Sequence, residues 1–408
     1  MMQGRRHVAA YEEAMPHTAL TIAFLNLGHA LDHLFMLIFT TAVIAIGAAT
    51  GQPYSELLSL SLGGFIAFGA CSIPAGWLGD RWSRRAMMVI FFIGIGASSI
   101  LTGFARSNVE IAIGLTLIGV FAAIYHPVGI AMLVRNHPRQ GRALGVNGFF
   151  GNLGVAMAAI VTGALADFSG WRWAFIAPGI FSILSGFAFW YFAPATEIAS
   201  AATRKPVSAL PRGVVARVFG VVLVATICGG IIFNATTVAM PKLFDQRLDD
   251  IVGTNFGIGT LVALVFLLAA FAQLLVGNLI DRMSLYRVFV PVAALQAPFL
   301  FLAGMVDGYL MLVVAIAMMF LVFGQIPIND AMVARYTNDE WRSRVYAVRY
   351  VMSFSASATA VPMIAYLYAT TGEFTQTFNV LAVAALCIFA AALFFPRPAQ
   401  QAQAAAAE

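Results

Sequence analysis

Two histidines and an aspartate stand at helical spacing in the stretch Asn26-Leu-Gly-His-Ala-Leu-Asp-His-Leu-Phe-Met36, and the residues around them are apolar. His29, Asp32 and His33 occupy positions i, i+3 and i+4, so a helix places all three on one face. Asn26 and Met36 extend that face by a turn each way. Imidazole exchanges protons near neutral pH. Such a face carries protons across a barrier or holds an anionic group while protonated. The same side chains suit a divalent metal, and a polar brace between two helices would use the same spacing. A second candidate is Tyr125-His126-Pro127. Pro127 removes a backbone donor and leaves a carbonyl one turn earlier without its usual partner, and His126 stands beside that defect. Asn234, Gln325, Asn329 and Asp330 are further polar residues in apolar surroundings. Asp330 lies five residues before Arg335, which allows either a gate or an intrahelical ion pair. Asn147, Asn152, Gln273 and Gln296 read as hydrogen-bonding glue between helices.

The elements that must position these groups are membrane helices. The 408 residues are 61% hydrophobic and 10% charged, against roughly a quarter charged in a soluble domain. A spanning helix needs about 20 mainly apolar residues. Candidate segments fall near 19–47, 54–79, 86–104, 109–135, 142–166, 171–193, 216–240, 251–280, 285–305, 309–335, 342–370 and 374–396. The alternation of a membrane β-barrel is missing, so the expected class is all-α. Residues 1–18 are polar and do not resemble a cleavable signal. An ionisable side chain at bilayer depth costs about 2.5–3.5 kcal/mol on insertion scales, which marks each one as a candidate site residue.

The net charge of +5 does not point to nucleic acid, because its placement follows the membrane. With the N-terminus in the cytoplasm, all but four of the 23 Lys and Arg residues fall on the cytoplasmic side. The exceptions are Arg106, Arg172, Lys242 and Arg247. That bias orients both termini toward the cytoplasm. Cys71, Cys228 and Cys387 lie far apart in apolar segments and read as small buried hydrophobes without a disulfide.

Residues 194–216 form the one long polar interruption between segments, and six segments flank it on each side. The expected organisation is an N-terminal cytoplasmic segment at 1–18, a six-helix bundle at 19–193, a cytoplasmic linker at 194–216, a second bundle at 217–396 and a cytoplasmic tail at 397–408. The halves repeat one another. Gly76-Trp-Leu-Gly-Asp80-Arg81-Trp-Ser-Arg84-Arg85 is echoed by Gly277-Asn-Leu-Ile-Asp281-Arg282-Met-Ser 201 positions later. Pro127, Ala131, Met132 and Arg135 return as Pro327, Ala331, Met332 and Arg335 at an offset of 200. In the first of these loops Arg81, Arg84 and Arg85 can complement the carbonyl end of a helix. Asp80 can pair with them or cap a neighbouring helix, and Gly76 and Gly79 allow close packing. A latch between the halves, with Asp281 and Arg282 as its weaker counterpart, is one reading; a positive-inside anchor is the other.

The "GWLGDRWSRR" loop, its degenerate partner "GNLIDRMS" and "SGWRWAF" at 169–175 together resemble the major facilitator superfamily over nearly the whole chain. The resemblance implies twelve transmembrane helices in two pseudo-symmetric six-helix bundles around a central cavity lined by helices one, four, seven and ten. Many proton-driven exporters of that superfamily carry an arginine early in the fourth helix, where this chain has Leu115. "GHALDHLFMLIF" with "YHPVGIA" resembles instead the fosmidomycin-resistance branch of bacterial exporters, which implicates His29, Asp32, His33 and His126 in coupling or substrate contact.

No G-x-x-x-x-G-K-[ST] phosphate loop is present, and no filter-like sequence appears. Alternating-access secondary transport is the class that remains. The expectation is a non-enzymatic, monomeric transporter of the bacterial inner membrane that exports a small amphipathic or anionic compound. A proton gradient supplies its energy, with no cofactor and no resident metal. Proton-coupled uptake of a small organic anion and transport of a divalent metal are the alternatives.

Overall fold

A computed structural model describes residues 2–135, 140–193, 212–337 and 339–397. Twelve of its helices are long and apolar enough to cross a membrane. In the first half they are α1 (Ala19–Thr50), α2 (Tyr54–Arg81), α3 (Arg84–Gly103), α4 (Asn108–Val134), α5 (Ala143–Ser169) and α6 (Trp171–Phe192). The second half contains α7 (Gly213–Arg247), α8 (Asn255–Arg282), α9 (Leu285–Ala303), α10 (Gly308–Tyr336), α11 (Val351–Thr371) and α12 (Thr375–Leu393). This is a multi-pass, all-α membrane protein. Hydrocarbon offers no hydrogen bonds, so each crossing segment must satisfy its own backbone, and a helix does so. Three helix starts are capped by side chains: Ser83, Ser107 and Thr254 accept from backbone N–H groups of α3, α4 and α8. Gly372 ends α11 in the left-handed conformation, at φ 73°. Leu264, Phe271, Leu274, Leu275 and Val383 point outward and are exposed, as a lipid-facing surface requires.

The halves share one packing plan. In the first half α1 packs on α5, α2 on α4 and α3 on α6; in the second α7 packs on α11, α8 on α10 and α9 on α12. The two bundles meet through α2 against α11 and α5 against α8, pairs that the repeat exchanges. Capping repeats as well. Arg172 donates to the carbonyls of Gly103 (2.9 Å) and Ala105 (2.6 Å) at the end of α3. Arg247 and Thr375 donate to the carbonyl of Gly304 at the end of α9.

Several boundaries differ from those expected. Helix α7 runs on to Arg247 through Pro241, because Leu243 and Phe244 are fully buried while Lys242 pairs with Asp245. It begins at Gly213, and a helical turn starts at Arg212, inside the stretch expected as linker; residues 194–211 and the tail from 398 lie outside the described residues. Eleventh-segment helix is interrupted at Thr359, between Asp339–Ala358 and Ala360–Thr371. Cys387 is exposed on the outer side of α12 rather than buried.

Candidate functional site

Helix α1 brings His29, Asp32 and His33 to one side, with the two imidazole centroids 5.0 Å apart. Helix α4 delivers His126 against them, 5.3 Å from the His29 ring and 5.7 Å from that of His33. Its Nε2 lies 3.3 Å from Asp32 Oδ2, and the Asp32 side chain is fully buried. Pro127 supplies no N–H to the helix, and residues Tyr125–Gly129 form one wide turn that carries His126. Helices α7 and α10, in contrast, stay helical through Pro241 and Pro327. Wide turns of this kind are frequent at functional sites.

A second layer fixes the first. Asn147 of α5 donates from Nδ2 to Asn26 Oδ1 (3.0 Å) and to Tyr125 Oη (2.8 Å). Tyr125 Oη donates in turn to the carbonyl of Leu25 at 2.8 Å. The backbone carbonyl of Asn147 lies 2.7 Å from His29 Nδ1. A carbonyl only accepts, so Nδ1 holds the proton and Nε2 presents a lone pair in the neutral ring. Tyr125 stacks on the His29 ring at 4.9 Å. Glycine makes this packing possible: a Cβ on Gly151 would come within 2.7 Å of the His29 ring, and one on Gly129 within 2.8 Å of Tyr125.

Between the bundles lies a cavity of ≈ 220 Å³. His33, His126 and Phe68 face it from the first half; Asn234, Gln325 and Asn329 face it from the second. The expected cluster therefore divides. His33 and His126 reach the cavity, whereas Asp32, His29 and Tyr125 stand behind them. The wall also contains a residue that the charge pattern placed on the cytoplasmic side: Arg349 of the eleventh-segment helix, just before Val351. Its Nη2 donates to Asp330 Oδ1 at 2.5 Å. Asp330 thus pairs across to another helix rather than with Arg335, whose Nη2 donates to the carbonyl of Ile280 at the end of α8. The signal for Arg349 was an arginine inside the expected 342–370 span. Asn234 donates to the carbonyl of Ser357 at 2.6 Å, and Gln296 donates to Gln325. One nitrogen from each of His29, His33 and His126 lies within 4.8 Å of the others, and these are the atoms a divalent ion would take.

The sequence pattern of the Major Facilitator Superfamily matches residues 25–250 and 248–408. The chain belongs to that superfamily. Like this facilitator, a bacterial homologue of the human lysosomal transporter Spinster, in an inward-facing and occupied conformation, has the fold: the TM-score is 0.72 at 15% identity, covering 96% of each chain. A D-xylose-proton symporter aligns with a TM-score of 0.74 at 15% identity, over 92% of this chain and 96% of that one. The puromycin resistance protein of Streptomyces alboniger is 31% identical over 111 residues, which cover 26% of this facilitator and only 22% of that relative.

The signature loop of this facilitator joins α2 to α3. Asp80 pairs with Arg84 at 2.6 Å, Arg81 lies over the Trp77 ring, and Arg85 donates to the carbonyls of Trp190 and Ala193, which end α6. Gly76 and Gly79 face Pro127 and Val128 of α4, at 3.1 and 2.8 Å from the Cβ each lacks. Asp281 and Arg282 stand at the end of α8, beside the carbonyl that Arg335 engages. On the opposite face the bundles touch directly. Asp167 at the end of α5 accepts from Asn255 Nδ2 and from the backbone N–H of Phe256, both at 2.6 Å, at the start of α8. Tyr54 meets Tyr368 at 4.9 Å between ring centroids. A Cβ on Gly163 would lie 2.2 Å from the carbonyl oxygen of Asn255.

Proposed function

We propose that this facilitator exports a small amphipathic or anionic compound in exchange for protons, working by alternating access in a bacterial inner membrane with both termini cytoplasmic. The observation that carries this reading is the pairing of Asp32 with His126, 3.3 Å apart on two helices, at the wall of the cavity between the bundles. A buried carboxylate behind an imidazole that borders the cavity can take a proton from it and return one to it. His33 and His29 complete a proton-handling group confined to the first half. The partners are then protons, the bilayer and one small molecule per monomer. The similarity of the α1 and α4 stretches to the fosmidomycin-resistance branch and the partial match to a puromycin resistance protein favour the outward direction.

Expression in a drug-sensitised host tests the proposal. Resistance to a toxic compound should rise with the wild-type chain and vanish in Asp32→Asn and His126→Ala at equal expression. Protection that persists in both variants would sink the site. In proteoliposomes the sign of the substrate-driven pH change separates export by exchange from uptake with protons. Stoichiometric Zn²⁺ binding that disappears in His29→Ala would move the reading to metal transport, which the three clustered imidazoles also favour.

A further inference from the structure

We propose that the second-half wall of the cavity is an oxyanion subsite, in which the acidic head of the cargo takes Arg349 away from Asp330. The inference rests on the reading of this cavity as the cargo site and names the class of cargo.

Arg349 lines the cavity with only 11% of its side chain exposed, whereas the Asp330 side chain that holds it is 43% exposed. A half-exposed carboxylate is an exchangeable partner, since water can receive it when another anion arrives. The guanidinium is built for such exchange. It presents five N–H donors in a planar fork that fits a carboxylate with two parallel bonds.

The neighbouring Gln325 amide favours the same ligand. Gln325 is nine-tenths buried or more, and its Oε1 accepts from Gln296, which orients the amide. Its Nε2 has no hydrogen-bond partner among the described residues. Asn329 lies one turn further along α10; its unsatisfied Oδ1 is an acceptor, which a hydroxyl or N–H of the cargo would serve and an oxyanion would not. Gly229 of α7 stands opposite both. The Cβ it lacks would be 3.6 Å from Gln325 Nε2 and 3.9 Å from Asn329 Nδ2, so the helix leaves the approach to these amides bare. A buried amide donor without a partner is costly, and an oxyanion would supply one. The rest of the cavity wants something flat and apolar. Phe354 lies 4.7 Å from Phe68 and 5.3 Å from the His126 ring, and Phe65 and Phe233 add further apolar lining. The cargo is thus a small flat monoanion, with its acidic head toward Arg349 and its apolar body among the aromatic rings.

Binding of 2-naphthoate and of its neutral amide, 2-naphthamide, to the purified full-length protein in detergent tests this without a proton gradient. The acid should bind at least tenfold tighter than the amide. Arg349→Gln should erase that preference, and Arg349→Lys should retain part of it, because an ammonium keeps the charge but not the fork. Asp330→Asn removes the competitor and should tighten the acid about threefold or more without helping the amide. That variant keeps the question answerable if Arg349→Gln fails to fold. Equal binding of acid and amide, no binding of the acid at millimolar concentration, or weaker acid binding in Asp330→Asn would overturn the subsite. Failure of the export reading looks different: Asp32→Asn would keep driving transport while the binding preferences above stood unchanged.

Discussion

The imidazole of His29 hangs from a backbone carbonyl, while the side chain of the same Asn147 ties Asn26 and Tyr125 together. The two duties can be separated. Asn147→Leu should lower stability by about 1–2 kcal/mol, as expected for lost interhelical bonds in a membrane, read from denaturant unfolding in micelles. The His29 anchor is main chain, so the pH profile of transport should survive. Gly151→Ala attacks the ring itself and should cut transport with little change in expression, because the added methyl enters the space 2.7 Å from the His29 ring. Asp32→Asn should flatten the pH dependence of any residual transport; a profile parallel to wild type would remove Asp32 from coupling. At this scale the sequence was readable where spacing carries the information. His29, Asp32 and His33 share a face because helical periodicity demands it, and Pro127 pointed to His126. The pairing of Asp330 with Arg349 was not readable, because 19 residues and a helix boundary separate partners that only tertiary packing unites.

Helices α4 and α5 show what the elements contribute. Pro127→Ala would restore a donor to α4 and allow its wide turn to close, rotating Tyr125 and His126 away from α1. Transport should fall severely while insertion stays normal, and a variant with unimpaired transport would show that the turn has no part in aiming His126. The α5–α8 crossing depends on absent side chains, since a Cβ at Gly259 would stand 2.3 Å from the carbonyl oxygen of Ala159. Gly259→Leu should wedge the crossing apart, and spin labels at the facing ends of α5 and α8 should then report longer distances than in wild type. Hydropathy located all twelve spans, because the bilayer imposes both length and polarity. It misplaced the end of α7, where buried Leu243 and Phe244 outweigh the charges around them. The bundle-to-bundle crossings left no mark that a hydropathy scan detects, since glycine is common throughout the chain.

For the molecule as a whole, the duplication was legible in paired motifs at nearly constant offset, and the structure realises it as one packing plan used twice. The halves are nevertheless chemically unequal. The clustered histidines stand in the first, and the cavity's guanidinium stands in the second. Asp80→Asn should leave insertion and folding intact yet shift the balance between states open to one face and the other. Cysteine-accessibility labelling of both faces is the check, and identical labelling would reduce the α2–α3 loop to an anchor.

The position of His126 in front of Asp32 has one more consequence. A carboxylate wholly screened from the cavity can be reached there through the ring that borders it, so the acid is a dead end and not a corridor. A molecule lodged against that ring would cork the route, so cargo that enters while Asp32 is deprotonated would keep protons out until it departs, as exchange requires. Tight stoichiometry would then follow from the order in which the two groups stand along the path, with no separate device needed to prevent leakage.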